Sequence, residues 1–180
     1  PIIGVMKPGA RAAAAPTKNG RIGVIGTEST IRSGMYSRFL QEINPNITVV
    51  GKACPLFVPL VEEGWLKDPV TEEVARRYLE ELTRVEIDVL ILGCTHYPLL
   101  RSTVKKVVGG QVELVNPAYE TAQELKRLLA DQDLLNPGVK EEEFPYRFYV
   151  SDAAEKFKQF ANSILPYDVR VTQQINIEEY

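Results

Sequence analysis

An α/β fold built on a parallel sheet is what this sequence predicts, and three observations predict it. Strand-like runs at residues 2–6, 21–25, 47–53, 89–92, 112–115, 148–150 and 169–171 alternate with helical or turn-rich segments, the pattern that parallel pairing with crossover helices produces. The run Val89-Leu90-Ile91-Leu92 shows no polar alternation, as a strand covered on both faces requires. Hydrophobic residues make up 44% of the 180, ample for the core of one large domain or of one and a half small ones.

The first strand, residues 2–6, leads to Pro8-Gly9, read as a turn, and then to Arg11 and four alanines of strong helix propensity. Arg11 is assigned to a solvated face. The second strand stops at Gly26, and Thr27, Ser29 and Thr30 follow. These hydroxyls either bind a ligand or cap the next helix, and capping is the commoner use of each. Tyr36, Phe39, Leu40 and Ile43 recur at spacings of three and four, the stripe of a helix packed on a sheet, which Asn44-Pro45-Asn46 stops. The third strand ends at Cys54-Pro55, where Cys54 is read as a small buried hydrophobe.

Residues 57–65 are mostly apolar until Glu62 and Glu63 arrive together, one of them available to a site. Asp68-Pro69 opens a helix with Val74, Tyr78, Leu79 and Leu82 facing inward and the i,i+4 pairs Glu72–Arg76 and Glu73–Arg77 in solvent. After the strand at 89–92, residues 99–108 read as a helix closed by Gly109-Gly110, and 112–115 as a strand. Asn116-Pro117 marks a change of element and the best candidate for a domain boundary. Beyond it come a helix with Ala122, Leu125, Leu128 and Leu129 inward, an acidic surface loop at 136–143, and a strand at 148–150. A Ser151-Asp152 cap then starts a helix striped by Phe157, Phe160, Ala161 and Ile164, and the last strand is 169–171.

A formal net charge of -3 gives no basic footprint, which argues against nucleic acid or an anionic membrane as partner and favours a small molecule. No apolar run approaches the roughly 18 to 20 residues of a membrane span, and no signal-peptide pattern is present, so a cytoplasmic location is expected. Two cysteines, Cys54 and Cys94, do not make a disulfide framework and are read as free thiols. One histidine and two separated cysteines lack zinc-site spacing. The glycines do not form a dinucleotide fingerprint. The chain opens at Pro1 and reads as a piece of something longer.

Chemistry concentrates where the central apolar run ends, at Gly93-Cys94-Thr95-His96-Tyr97-Pro98. The carboxyl edge of an open α/β sheet is where ligands bind, because its loops lead into helix N-termini whose free N–H groups attract anions. A carboxylate-bearing substrate suits that position. A thiol with the ordinary pKa of about 8.5 ionises near neutrality only with help from a helix N-terminus or a cation. The loop leads toward a helix, and His96 lies two residues from Cys94.

This hexapeptide resembles the second catalytic-cysteine motif of the glutamate racemases, cofactor-independent enzymes of the aspartate/glutamate racemase superfamily that supply D-glutamate for bacterial peptidoglycan. Residues 1–5, 8–12, 23–27 and 54–62 are similar to further segments of that family and stand in its order. The resemblance implies two similar α/β domains facing each other. Residues 1–115 would be a complete three-layer domain with a parallel sheet, and 116–180 the C-terminal part of the other domain. Racemisation removes the α-proton on one face and returns one on the other, so two acid/base groups must flank the carbon.

By resemblance Cys94 is one of that pair, His96 assists the thiol, Glu62 is a carboxylate near it, Thr95 binds substrate, and Thr27 and Thr30 line the pocket. The resemblance implies glutamate as substrate and neither cofactor nor metal, and it allows a homodimer. The family's Asp-Ser and first Cys-Asn-Thr would precede Pro1, and Cys54 does not replace them, so residues 1–180 alone are expected to be inactive. Asn116-Pro117 departs from the acidic and small residues of the family at that crossing. Two other readings stay open: another superfamily enzyme, such as an aspartate racemase or one-cysteine decarboxylase, and a non-catalytic ligand-binding module with Cys94 merely buried.

Overall fold

A computed structural model of the chain describes residues 2–136, 138 and 146–179. It divides into two compact units, Pro1–Leu134 and Leu135–Tyr180.

The first unit is built on four parallel strands, β1 (Arg21–Gly26), β2 (Thr48–Ala53), β3 (Val89–Leu92) and β4 (Glu113–Val115), in the order β2-β1-β3-β4. Between them run α1 (Met6–Ala14), α2 (Glu28–Arg32), α3 (Met35–Ile43), α4 (Phe57–Glu62), α5 (Pro69–Arg84) and α6 (Arg101–Val108), and α7 (Pro117–Asp131) follows β4. Side chains alternate across a strand, so one face of the sheet presents Ile22, Val24, Val89, Ile91 and Val115. These pack with Ala10 and Ala13 of α1 and with Tyr36 and Leu40 of α3 in one buried cluster. On the other face Leu82, Ile87 and Leu90 converge on Gly23, and α5 packs on β2 and α6. The result is the three-layer α/β arrangement that the strand pattern predicted.

Chain order fixes where a site can form. From β1 the chain leaves toward β2 on one side, and from β3 it leaves toward β4 on the other. The carboxyl ends of β1 and β3 therefore flank the point where strand order reverses, the crevice in which open α/β sheets bind ligands. Gly93 lets the two ends close up: its N–H donates to the Ile25 carbonyl at 2.7 Å, and a Cβ there would lie 2.7 Å from that same oxygen.

Several elements differ from the sequence expectation. Residues 2–6 form no strand; the helix α1 begins at Met6 and carries Pro8-Gly9 inside it. A short apolar run has no periodicity of its own, and the helical spacing of Met6, Ala10 and Ala13 decides the outcome. Pro8 is tolerated because it lies in the first turn, where its missing N–H would have no partner. Gly9 is required for a different reason, since a Cβ there would meet Pro117 Cβ at 2.9 Å, so α1 and α7 pack against each other at that point. Arg11, expected in solvent, is half exposed and pairs with Glu124 of α7. The expected boundary at 115/116 and the division at 134/135 thus differ by one helix.

Other boundaries agree closely. Asp68 caps α5 by accepting from the Val70 N–H at 2.8 Å, Glu73 pairs with Arg77 at 2.8 Å, and Glu72 pairs with Arg76. Gly109, at φ +90°, ends α6 in a conformation side chains rarely adopt.

In the second unit β5 (Phe148–Val150) and β6 (Thr172–Gln174) pair in parallel, with α8 (Ala154–Ile164) between them. The last strand falls three residues later than expected: Val169 is buried but outside any strand, its N–H donating to Asn162 Oδ1 at 2.6 Å. The expected Ser151-Asp152 cap is replaced by Ala153 at φ 48°, with no side-chain hydrogen bond to the helix. Of the acidic stretch 136–143, all but residues 136 and 138 lies outside the described residues. Among the described residues no helix is long and apolar enough to cross a membrane.

Candidate active site

The ends of β1 and β3 and the starts of four helices, α1, α2, α3 and α7, build one cavity of about 300 Å³. From the β1 end come Thr27 and Thr30, from the β3 end Leu92, Gly93, Cys94 and Thr95, and Tyr36, Met6 and Asn116-Pro117-Ala118 complete its wall. Thr27 is the N-cap of α2: its Oγ1 accepts from the Thr30 N–H at 3.3 Å and lies 3.1 Å from Thr30 Oγ1. The capping use of these hydroxyls and their place on the cavity wall are therefore compatible. The N-cap aims the side-chain oxygen inward along the helix axis, while the hydroxyl hydrogens remain free to turn.

Cys94 is partly exposed at the mouth of β3 and Cys54 is fully buried; both are free thiols. Burial pushes the Cys54 thiol up to about 12, against the opposing pull of Lys52, and its Sγ contacts the Lys52 carbonyl at 3.6 Å. Cys54 is the inert, packed thiol that the sequence suggested, and Cys94 is the accessible one.

His96 stands between two oxygens. Its Nε2 lies 3.5 Å from Glu62 Oε1, beyond a good hydrogen bond but within ion-pair reach, and its Nδ1 lies 3.2 Å from Thr95 Oγ1. A proton on Nε2 faces the carboxylate and leaves Nδ1 to accept from the threonine. Glu62 ends α4, and α4 is held by an aromatic file. The Phe57 ring meets Tyr97 edge-on at 5.2 Å and Tyr78 edge-on at 5.4 Å, and the Tyr97 hydroxyl donates to the Cys54 carbonyl at 2.8 Å. Burial foremost, then the neighbouring Cys54, Cys94 and Tyr78 groups, raises the Tyr97 phenol far above its ordinary value.

The expected site residues thus fall into two groups. Thr27, Thr30, Cys94 and Thr95 share the cavity, while His96 and Glu62 form a pair outside its wall, joined to it through Thr95. The sequence pattern assigns Tyr36 to the core and Asn116-Pro117 to a boundary; both also line the cavity. Asn116 carried a readable signal, since Asn before Pro is a helix N-cap pattern, and its Oδ1 accepts from the Ala118 N–H at 3.1 Å to start α7. Among the described residues no three His, Cys, Asp or Glu side chains converge as a metal site.

Comparison with known proteins adds an independent line. The model of the Asp/Glu/Hydantoin racemase family matches residues 1–125. The chain is similar to the glutamate racemase of Geobacter metallireducens, 44% identical over 178 residues, which cover 99% of this chain and 65% of that protein. It is similar to the glutamate racemase of Chlorobaculum parvum, 47% identical over 158 residues, 88% of this chain and 57% of that one. Among solved structures, a glutamate racemase isoform from Bacillus anthracis superimposes with a TM-score of 0.90 at 38% identity, over 98% of this chain and 65% of its own. The glutamate racemase of Francisella tularensis, solved in complex with D-glutamate, gives 0.88 at 34% identity, over 100% of this chain and 65% of its own. The chain spans 57% to 65% of the lengths of these relatives.

Proposed function

We propose that this chain, which belongs to the Asp/Glu/Hydantoin racemase family, carries one acid/base half of a glutamate racemase site, with Cys94 as the group that exchanges the α-proton. The observation that carries the reading is the placing of the one accessible thiol, Cys94, in a cavity with the hydroxyls of Thr27, Thr30 and Thr95 at the strand-order reversal. A thiolate is a base of suitable strength for an activated carbon acid, and the thiol it becomes is an acid for the reverse step. The three hydroxyls supply neutral donors for the substrate's carboxylates, whose charge grows on the α-carbon side as the proton leaves. His96, steadied by Glu62 and Thr95 and two residues along the chain from Cys94, is the group that would handle the thiol's proton.

The second acid/base must approach the opposite face of the α-carbon, and Cys54 cannot supply it, being fully buried. A polypeptide of residues 1–180 alone is therefore expected not to racemise glutamate. The companion half-site would stand on a second domain, to which the residues after α7 contribute. On this reading the product D-glutamate serves peptidoglycan synthesis in the cytoplasm.

The test joins the N-terminal third of the Geobacter metallireducens glutamate racemase ahead of Pro1. The chimaera is expected to interconvert L- and D-glutamate without added cofactor, and Cys94→Ser to lose at least about 10³-fold in kcat, the scale of a lost acid/base group. Wild-type turnover in Cys94→Ser would end the assignment, and preference for aspartate over glutamate would move the substrate to another member of the superfamily.

A further inference from the structure

We propose that Tyr36 is a further substrate-binding residue of this site, its phenol donating a hydrogen bond to a carboxylate oxygen of the bound amino acid. The assignment rests on the reading of the Cys94 cavity as an amino-acid site. Tyr36 lies in the first turn of α3, and its ring is part of the core cluster with Ala10, Ala13, Ile22 and Val24. That packing explains the ring and leaves the hydroxyl unexplained. The residue is 5% exposed, its phenol makes no hydrogen bond with any described residue, and its oxygen is not among the buried atoms left without a partner, so the hydroxyl reaches open space. Tyr97, at 0% exposure, instead spends its hydroxyl on the Cys54 carbonyl, as fully buried polar groups ordinarily do.

Position supplies the missing partner. Tyr36 lines the same cavity as Thr30, Gly93 and Cys94. Its Cε2, one bond from the carbon that bears the hydroxyl, would stand 3.2 Å from a Cβ built on Gly93, so the polar edge of the ring lies against the strand end that carries the thiol. Thr27 and Thr30 share their hydroxyls with each other and with the cap of α2, whereas the phenol has no competing duty. Burial also holds it up to about 12, which keeps it a protonated donor at neutral pH, matched to an anionic acceptor.

Tyr36→Phe tests this, because it keeps the packed ring and removes only the hydroxyl. In the chimaera that joins the N-terminal third of the Geobacter metallireducens enzyme ahead of Pro1, the rate of Cys94 alkylation by iodoacetamide is followed by peptide mass mapping across a glutamate titration, with Cys54 as the buried internal control. Wild type is expected to be protected by glutamate. Tyr36→Phe is expected to need about tenfold more glutamate for the same protection, the scale of a hydrogen bond to a charged group, with an unchanged alkylation rate in buffer and an unchanged urea midpoint. Protection at the wild-type concentration overturns the proposal, and so does a lowered urea midpoint, which would show that the hydroxyl serves the fold. If glutamate protects wild type but Tyr36→Phe is indistinguishable, only this inference falls. If glutamate protects neither, the amino-acid reading of the cavity falls with it.

Discussion

Tyr97 shows how one hydroxyl can hold two loops in register. It donates to the Cys54 carbonyl at 2.8 Å while its ring braces Phe57 at the start of α4, and the far end of α4 brings Glu62 to His96. Tyr97→Phe keeps the ring contact and removes one of two hydrogen bonds to that carbonyl, which still accepts from the Phe57 N–H at 3.1 Å, so it should cost about 0.5–1.5 kcal/mol. Urea unfolding followed on Trp65, the chain's single tryptophan, measures it, and a wild-type midpoint would show that the carbonyl is satisfied without the phenol. At the opposite end of the sheet Asp88 collects donors: Thr17 Oγ1 at 2.6 Å, the Lys18 N–H at 2.5 Å and the Asn19 N–H at 2.8 Å. Burial alone would raise its carboxyl, but these hydrogen bonds outweigh it and hold the group below the ordinary Asp range. A depressed folded value means stability that is fully present above the unfolded Asp value of about 3.9 and is lost as pH falls through the folded one. Asp88→Asn should therefore flatten the acid limb of the stability profile below about pH 4, and an acid limb of wild-type steepness in that variant would remove Asp88 from the account. The cavity-lining residues were legible one at a time, since Cys94 and Thr27 each follow an abrupt end of hydrophobicity. Tyr97's bond was not, because its partner is 43 residues away, and neither was the open phenol of Tyr36, because its stripe of neighbours states only that the ring is buried.

Among the elements, the strand ends depend on what glycine leaves out. At Gly93 an added Cβ would meet the Ile25 carbonyl oxygen at 2.7 Å, a backbone atom already fixed by the Gly93 N–H bond. At Gly23 it would meet Ile87 Cδ1 at 2.7 Å and Leu90 Cδ1 at 2.9 Å, the free ends of side chains that can change rotamer. Gly93→Ala should thus lower the thermal midpoint more than Gly23→Ala and should also change the alkylation rate of Cys94, because it pushes apart the ends of β1 and β3. Equal melting of the two variants, with unaltered Cys94 reactivity, would show that the strand ends are not held that tightly. The same contrast explains which elements could be read from sequence. β1 and β3 are continuous apolar runs buried on both faces, so composition alone marks them. Residues 2–6 are equally apolar but lead into α1, because whether such a run extends or coils is settled by what it packs against: α1 lies on α3, α7 and β3. The stripe of α7 was legible as helical, yet its burial was not, for only Pro117 is buried in it and Leu125 stays exposed.

At the scale of the whole chain, the two compact units are unequal in what holds them together. Pro1–Leu134 contains the four-stranded parallel sheet covered on both faces, the kind of core that supports cooperative folding. Among the described residues, Leu135–Tyr180 contains one parallel pair, β5 with β6, the helix α8 and a short 3-10 turn at Ile177–Glu179, with Ala161 and Val169 as its buried hydrophobics. Tyr149, Val171 and Ile177 of that unit are exposed, and Thr172 Oγ1 is buried without a hydrogen bond. Two paired strands are marginal in water, and a parallel pair more so than an antiparallel one. A polypeptide of residues 1–134 should therefore unfold in urea with the midpoint that Trp65 reports for the whole chain and should keep the alkylation rate of Cys94. Residues 135–180 alone should show little far-ultraviolet circular dichroism and no sharp thermal transition. A lowered midpoint for 1–134, or a cooperative melt for 135–180, would show that stability is shared differently between the units. The composition break at Asn116-Pro117 coincides with the start of α7, and the compact unit runs on to Leu134 because α7 is fastened to α1 by the Arg11–Glu124 pair and the Gly9–Pro117 contact. Both link residues more than a hundred positions apart, and no local pattern in the sequence records them.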